Sequence, residues 1–237
     1  MSITALLLFA SLVAQQPASP LISYQAMEEL KGQLADLTVE VEVKLQVPDG
    51  AEPSIAPVMI GQAICIADAA GALHLITSAF LVQNSSRVRV RSKQAPEWST
   101  VTIARFDEEV GLAELVTPGQ SPACQPVQPA TPHLEGPGGL VFSIDNPTEW
   151  TNIFHGNFAG RADPPMGRYL LAASGLPLGG PLYGPTGHLA ALNLRRLVVG
   201  GRLYLSAPAT LILEWVWGTR RVGAKHQRRP RRSIISR

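Results

Sequence analysis

The chain has 237 residues, of which 46% are hydrophobic and 16% charged, a balance that suits a packed globular core and excludes a disordered chain. Its 21 glycines and 20 prolines have no period and favour many short strands over a helical bundle. The formal net charge is +2, but residues 220–237 carry eight of the 20 basic residues and no acid, so the other 12 basic residues face 18 acidic ones. The chain is thus an acidic body with a basic tail.

The N terminus contains a short apolar run over residues 5–14. It is shorter than the roughly 20 residues that span a bilayer, and its length predicts a secretory signal over 1–16 with cleavage near Ala14. We therefore expect a secreted or periplasmic protein. No Lys or Arg precedes the run, and Leu12 is larger than the small residue preferred at that place. An uncleaved membrane anchor and a buried first helix remain open alternatives.

The first part of the body, residues 21–134, has the pattern of a β domain preceded by a helix. Apolar residues at helical spacing predict a helix within 21–37, and strict alternation predicts a strand over 38–45 with one wet and one core face. Short β segments separated by turns follow at 57–66, 73–77, 88–91 and 100–104. These features indicate a first barrel.

The stretch 117–137 contains six prolines, so it does not suit a central strand and is interpreted as a link between two β units. The second unit, residues 135–217, has predicted strands at 139–144, 153–158, 169–172, 188–192 and 202–205. A closing helix is predicted over 207–217, with Pro208 in its first turn and with Trp215 and Trp217 packing it onto the second barrel. Two groups of strands indicate an all-β fold of two packed barrels.

Neither the cysteines nor the histidines have the spacing of a metal site, and no metal or cofactor is predicted. Cys65 and Cys124 can pair in an exported protein, or Cys65 can be a small buried hydrophobe, and the sequence leaves both open. Among the histidines, three have no partner at metal-ligand spacing and are interpreted as ordinary surface or core residues: His133, His155 and His226.

Three segments follow one another in the order of the catalytic motifs of an enzyme: residues 75–82, 106–115 and 176–182. The first resembles a strand end in which Thr and two small residues precede a catalytic His, and Phe80 occupies the His position. The second resembles a motif with a catalytic Asp, where Gly111 stands. The third resembles the nucleophile loop Gly-Asn-Ser-Gly-Gly-Pro-Leu, with Leu178 at the Ser position. Together they resemble the Deg/HtrA branch of the trypsin-like serine proteases.

Weaker matches at 141–147, 188–193 and 205–208 extend the resemblance over roughly residues 20–217. The resemblance implies two packed six-stranded β-barrels with short N- and C-terminal helices.

The substitutions remove the chemistry that the resemblance implies. A serine protease needs an imidazole to accept the serine proton and a carboxylate to orient that imidazole. Phe80, Gly111 and Leu178 supply none of these groups. No substitute lies nearby, since His74 is six residues before Phe80, about 20 Å along a strand. The resemblance therefore predicts a non-catalytic homologue, a pseudoprotease.

The loop that would form the oxyanion hole is also changed. Leu176 stands where the family has a Gly, and Pro177 restricts Leu176 to extended conformations. Gly179 and Gly180 would still form the tight turn. We therefore expect the scaffold of the loop to persist without its donor geometry.

These residues predict an exported binding or scaffold protein that holds a peptide or protein segment in the former substrate groove. Phe80 and Leu178 either line an apolar groove or simply repair the core. An active endopeptidase with displaced catalytic residues remains an alternative. Another is a polyanion-binding protein that acts through its tail on acidic lipid or a cell-wall polymer, nucleic acid being the least favoured partner outside the cell. The candidate residues are Arg220, Arg221, Lys225, Arg228, Arg229, Arg231 and Arg232.

Overall fold

The computed structural model describes residues 23–47, 57–118, 124–129, 138–149, 151–162, 168–173, 177–197 and 203–218. Within these residues, twelve strands form two closed antiparallel barrels of six strands each. The prediction of an all-β double barrel is confirmed. The predicted signal over 1–16, Leu176 and the basic residues from Arg220 onward lie outside the described residues.

The first barrel follows a short helix and has the strand order β1-β2-β3-β6-β5-β4. Its elements are α1 (Tyr24–Leu37), β1 (Thr38–Leu45), β2 (Val58–Ala67), β3 (Leu73–Ser78), α2 (Ala79–Val82), β4 (Ser85–Arg91), β5 (Ser99–Asp107) and β6 (Leu112–Val116). Val39, Val41 and Val43 fill the interior, as the alternation predicts. The outer face of β1 is not uniformly wet, because Glu40 is buried and accepts hydrogen bonds from Arg91 and other groups.

The second barrel has the strand order β10-β11-β12-β9-β8-β7. Its elements are β7 (Leu140–Asp145), β8 (Asn152–Arg161), β9 (Leu170–Ala173), β10 (Pro181–Tyr183), β11 (Leu189–Leu197), β12 (Leu203–Pro208) and α3 (Ala209–Gly218). The predicted start of the closing helix is wrong by two residues. Ala207 and Pro208 pair with Leu192 and Ala191 of β11, and a proline suits the end of a strand because it has no N–H to leave unpaired there.

The largest hydrophobic cluster lies at the junction of the barrels. It contains Ile76 and Leu112 of the first barrel and Leu192 and Leu194 of the second, and Ile212 of α3 packs against them. Each barrel interior has a separate cluster of its own. The side chains that face the junction therefore form a continuous core between the two units.

The described part of the proline-rich link, residues 124–129, is attached to both barrels. Cys124 forms a disulfide with Cys65 of β2, with the two Cα atoms 6.1 Å apart, so the pairing that the sequence leaves open does form. Val127 N donates to the Cys65 carbonyl at 2.8 Å, and the Gln128 carbonyl accepts from Leu189 N at 2.7 Å. The link thus joins β2 of the first barrel to β11 of the second.

The closing helix α3 packs against β11 and β12 of the second barrel, and its tryptophans also bond to the first barrel. Trp215 Nε1 donates to Asp107 Oδ2 at 3.0 Å, and the Arg105 guanidinium stacks on the Trp215 ring and donates to its carbonyl. Burial lowers the pKa of Arg105. Trp217 is half exposed, and its Nε1 lies 3.4 Å from the Ala67 carbonyl. Among the described helices, none has the length and apolar character needed to cross a membrane.

Candidate functional site

The position that resembles the catalytic histidine lies on the one-turn helix α2, where the first barrel meets the second. Ser78 caps this helix, since its Oγ accepts from Phe80 N at 3.1 Å and donates to the Leu194 carbonyl at 2.6 Å. Ala79 and Leu81 are buried, whereas the Phe80 ring is half-buried and packs against the junction core. One hydroxyl therefore joins α2 to β11 and holds Phe80 at the boundary between the barrels.

The position that resembles the catalytic aspartate lies beside Phe80. Gly111 has a φ of +80° at the end of the turn before β6, and its carbonyl accepts from Ala79 N at 2.8 Å. A Cβ at this position would lie 3.3 Å from Phe80 Cε2 and 3.0 Å from Leu194 Cδ1. The two side chains fill the space that a carboxylate would need, so Phe80 and Gly111 form one packed unit.

The turn that resembles the nucleophile loop is held by main-chain hydrogen bonds. The Leu178 carbonyl accepts from Gln62 N at 3.0 Å, and Gly179 N donates to the Asn193 carbonyl at 2.8 Å. Gly180 N donates to the Pro177 carbonyl at 3.1 Å, which closes the turn. These bonds do not depend on the side chain at residue 178. Main-chain contacts therefore determine the shape of this turn.

The three substituted positions do not pack as one group. Phe80 packs against the junction core, next to Gly111. Leu178 is half-buried and packs instead against the cluster inside the first barrel. Each apolar replacement therefore contributes to a different core.

A cavity of about 110 Å³ opens beside Phe80. Polar and apolar groups both contribute to its wall. The exposed Glu108 and Glu109 stand on its rim, and the Arg195 guanidinium lies 5.5 Å from the centre of the Phe80 ring. The lining residues carry carboxylates, a phenol and a guanidinium, none of which is a serine-type nucleophile or an imidazole base. They are Phe80, Glu108, Glu109, Val110, Gly111, Tyr169, Leu194, Arg195 and Leu205.

The second barrel fixes the wall of this cavity. The buried Tyr169 hydroxyl donates to the Glu109 carbonyl at 2.7 Å, and Arg168 Nη2 donates to the same carbonyl at 3.1 Å. From the other side, Asp107 Oδ1 accepts from Val110 N at 2.9 Å. The turn over residues 107–111 is therefore held in place by both barrels, and the cavity is preformed.

Two further polar contacts hold the barrels together near the site. Gln62 Nε2 donates to the Ile144 carbonyl of β7 at 2.8 Å. Thr38 Oγ1 and the Tyr183 hydroxyl are 3.0 Å apart, and complete burial raises the pKa of Tyr183, which keeps its phenol neutral. The junction is thus stabilised by hydrogen bonds as well as by apolar packing.

Most residues of the cavity wall carry no signal in the sequence that marks them as part of a site. Tyr169 and Leu205 belong to predicted strands, but no sequence pattern places them beside Phe80. The apolar run of β11 ends at Arg195 and Arg196. This pair is the one local sign that the strand leaves the buried core there. The contacts that bring these residues together span more than fifty positions of sequence, as in the bond from Tyr169 to Glu109.

The described histidines lie away from the cavity. His74 Nδ1 is 2.7 Å from Glu114 Oε1, and His155 is exposed on β8. Across the described ranges, no three His, Cys, Asp or Glu side chains are arranged to hold a metal ion. His133 and His226 are outside the described residues.

The chain was also compared with known proteins. No model of a known protein family matches it, and no curated protein matches it in sequence. The assignment of the fold therefore rests on the two closed six-stranded antiparallel barrels, which are consistent with the trypsin-like double barrel.

Proposed function

We propose that this protein is a non-catalytic relative of the trypsin-like proteases that binds a peptide or protein segment at the cavity beside Phe80. The observation that carries the proposal is the pairing of Phe80 with Gly111. Apolar packing fills the positions where the resemblance implies an imidazole and a carboxylate, and an open cavity remains next to them.

The shape of the site supports a protein ligand. Its volume of about 110 Å³ is small for a cofactor pocket, so it suits one side chain rather than a whole cofactor. The cavity opens to solvent with the exposed Glu108 and Glu109 on its rim, so a segment of another protein can place a side chain in it from that side.

We also propose that the protein acts outside the cytoplasm. The Cys65–Cys124 disulfide supports this location, since disulfides persist in oxidising compartments and are rare in the cytosol. The apolar run at the N terminus is consistent with export. Recovery of the natural protein from the cytosol alone, with both thiols reduced, would contradict the proposal.

The first test is incubation of the full chain with unfolded casein and with a fluorophosphonate probe. We expect neither cleavage nor labelling, because no nucleophile occupies residue 178. Cleavage or labelling would show that the correspondence of Phe80, Gly111 and Leu178 with the triad is wrong. Fluorescein-labelled casein is then titrated in the same buffer to measure binding.

Binding of the labelled casein is expected to fall by about tenfold in Val110→Asp, which places a charge in the cavity wall. Phe154→Ser, which removes an exposed aromatic side chain on β8, is the matched control and is expected to bind normally. Thermal unfolding checks that both variants are folded. Equal binding by Val110→Asp, Phe154→Ser and the unaltered protein would reject the cavity as the binding site.

A further inference from the structure

The rim of the cavity carries two adjacent carboxylates. Glu108 and Glu109 are both exposed and line the cavity, and neither carboxylate forms a hydrogen bond or an ion pair with any residue that the structure describes. In the same barrel, by contrast, the Glu40 carboxylate accepts from Arg91 Nε at 2.8 Å. The two rim carboxylates are therefore available to a molecule that enters the cavity.

The turn that presents these carboxylates is fixed before any ligand binds. The Tyr169 hydroxyl and Arg168 Nη2 both donate to the Glu109 carbonyl from the second barrel, at 2.7 and 3.1 Å. Asp107 Oδ1 accepts from Val110 N at 2.9 Å within the turn. Because the main chain is already ordered, a ligand that contacts the rim does not have to order it on binding.

The two guanidinium groups near the cavity are held by groups other than the rim carboxylates. The Arg195 guanidinium lies over the Phe80 ring, 5.5 Å from its centre. Arg168 Nη2 donates to the Tyr169 hydroxyl at 3.0 Å as well as to the Glu109 carbonyl. These positive charges weaken the long-range potential of the site, so selection of a ligand there depends on direct contact at the rim.

We infer that the segment bound at this cavity carries a Lys or Arg side chain next to the residue that enters the cavity, and that Glu108 and Glu109 bind this cation. The inference rests on the function proposed above and specifies the chemistry of its ligand. Lys and Arg have long side chains, so a cation one or two residues from the inserted residue can reach the rim. Exposed ion pairs are individually weak, and the two carboxylates together should favour a basic segment over a neutral one by about fivefold.

The test is a titration of the full chain, followed by the NMR shifts of the Val110 and Gly111 amides, with three peptides. Each peptide has one Leu in a sequence of Gly and Ser, flanked on both sides by Lys, by Ser or by Glu. We expect the Lys peptide to bind about fivefold more tightly than the Ser peptide and the Glu peptide to bind most weakly. The double variant Glu108→Gln with Glu109→Gln should remove the preference for Lys. Glu97→Gln, which neutralises an exposed acid between β4 and β5, is the matched control and should keep it.

The possible results separate this inference from the function on which it rests. If the Lys and Ser peptides shift these amides with equal affinity, the cavity binds a segment but does not select a cation, and the inference is wrong. A preference for Lys that survives in the double variant also overturns it, because the rim carboxylates then do not bind the cation. If no peptide shifts these amides, the proposed function fails together with the inference. Thermal unfolding establishes that the variants are folded.

Discussion

Two turns meet at the junction of the barrels, and they are built in different ways. The turn over 177–180 is fixed by main-chain hydrogen bonds to Gln62 and Asn193, and a Cβ at Gly179 would meet the Gln62 main chain and the Thr77 hydroxyl. The turn over 107–111 leaves room at Gly111 that is bounded by the ends of two side chains, Phe80 and Leu194. Shifting main-chain atoms to make room for an added methyl group costs much free energy, whereas a neighbouring side chain can shift or be substituted.

This difference predicts which of the two turns tolerates substitution. Gly179 is required by the backbone around it, and it lies in the segment Gly179-Gly180-Pro181-Leu182 that resembles the protease motif. Around Phe80 and Gly111, side-chain packing fills the space, and packing tolerates other residues if the volume is preserved. We therefore expect substitutions at these two positions to leave the fold intact.

The largest effect is expected at Gly179. Gly179→Ala should lower the free energy of unfolding by about 3 kcal/mol, because a left-handed residue other than glycine is strained and the added methyl group meets main-chain atoms. Urea denaturation measures the change. Gly32→Ala is the control, since no atom lies within 4 Å of its Cβ position in helix α1, and it should stabilise by about 0.5–1 kcal/mol. A loss below about 1 kcal/mol in Gly179→Ala would mean that this turn is as adaptable as the other one.

A smaller loss is expected at Gly111. Gly111→Ala should cost about 1.5 kcal/mol, mostly from the positive φ, since the Phe80 and Leu194 side chains can shift. The double variant Gly111→Ala with Phe80→Leu should lose about 0.5 kcal/mol less free energy of unfolding than the sum of the two single losses. Both changes alter the same contact between residues 80 and 111. A double-mutant cycle in urea tests this. Strict additivity would show that Phe80 does not fill the space beside residue 111.

The smallest effect is expected from the hydrogen bond between the second barrel and the turn over 107–111. Tyr169→Phe removes the donor to the Glu109 carbonyl and should cost about 1 kcal/mol, since Arg168 still donates to the same oxygen. Hydrogen exchange of the amides at Val110 and Gly111 should quicken while exchange in the 177–180 turn stays unchanged. Faster exchange in both turns would show that they open together and would end the distinction between them.

Part of the fold could be predicted from local sequence because local patterns determine it. Alternation in β1 and helical spacing in α1 predict both elements, and the two groups of strands on either side of the proline-rich link predict two barrels. The sequence predicts the boundary between β12 and α3 two residues too early, because Pro208 suits both the first turn of a helix and the last position of a strand. Pairing with Ala191 of β11 decides between them.

The candidate site was predictable only in part. The motif pattern identifies Phe80, Gly111 and Leu178 as the positions to inspect, and the structure brings the first two into contact. The cavity depends on Tyr169 and Arg195, which come from the other barrel, and the position of Trp215 depends on Arg105. Such contacts between distant segments leave no periodic signal in the sequence.

By itself, the sequence determined the β architecture and the presence of two units, because composition and periodicity are local properties. The tertiary structure decided that Cys65 and Cys124 pair, that Phe80 and Leu178 pack into different clusters, and that α3 bonds to the first barrel. These outcomes depend on which surfaces meet when the two barrels pack together, and free energy of packing between segments far apart in the chain is not encoded in any single stretch of it.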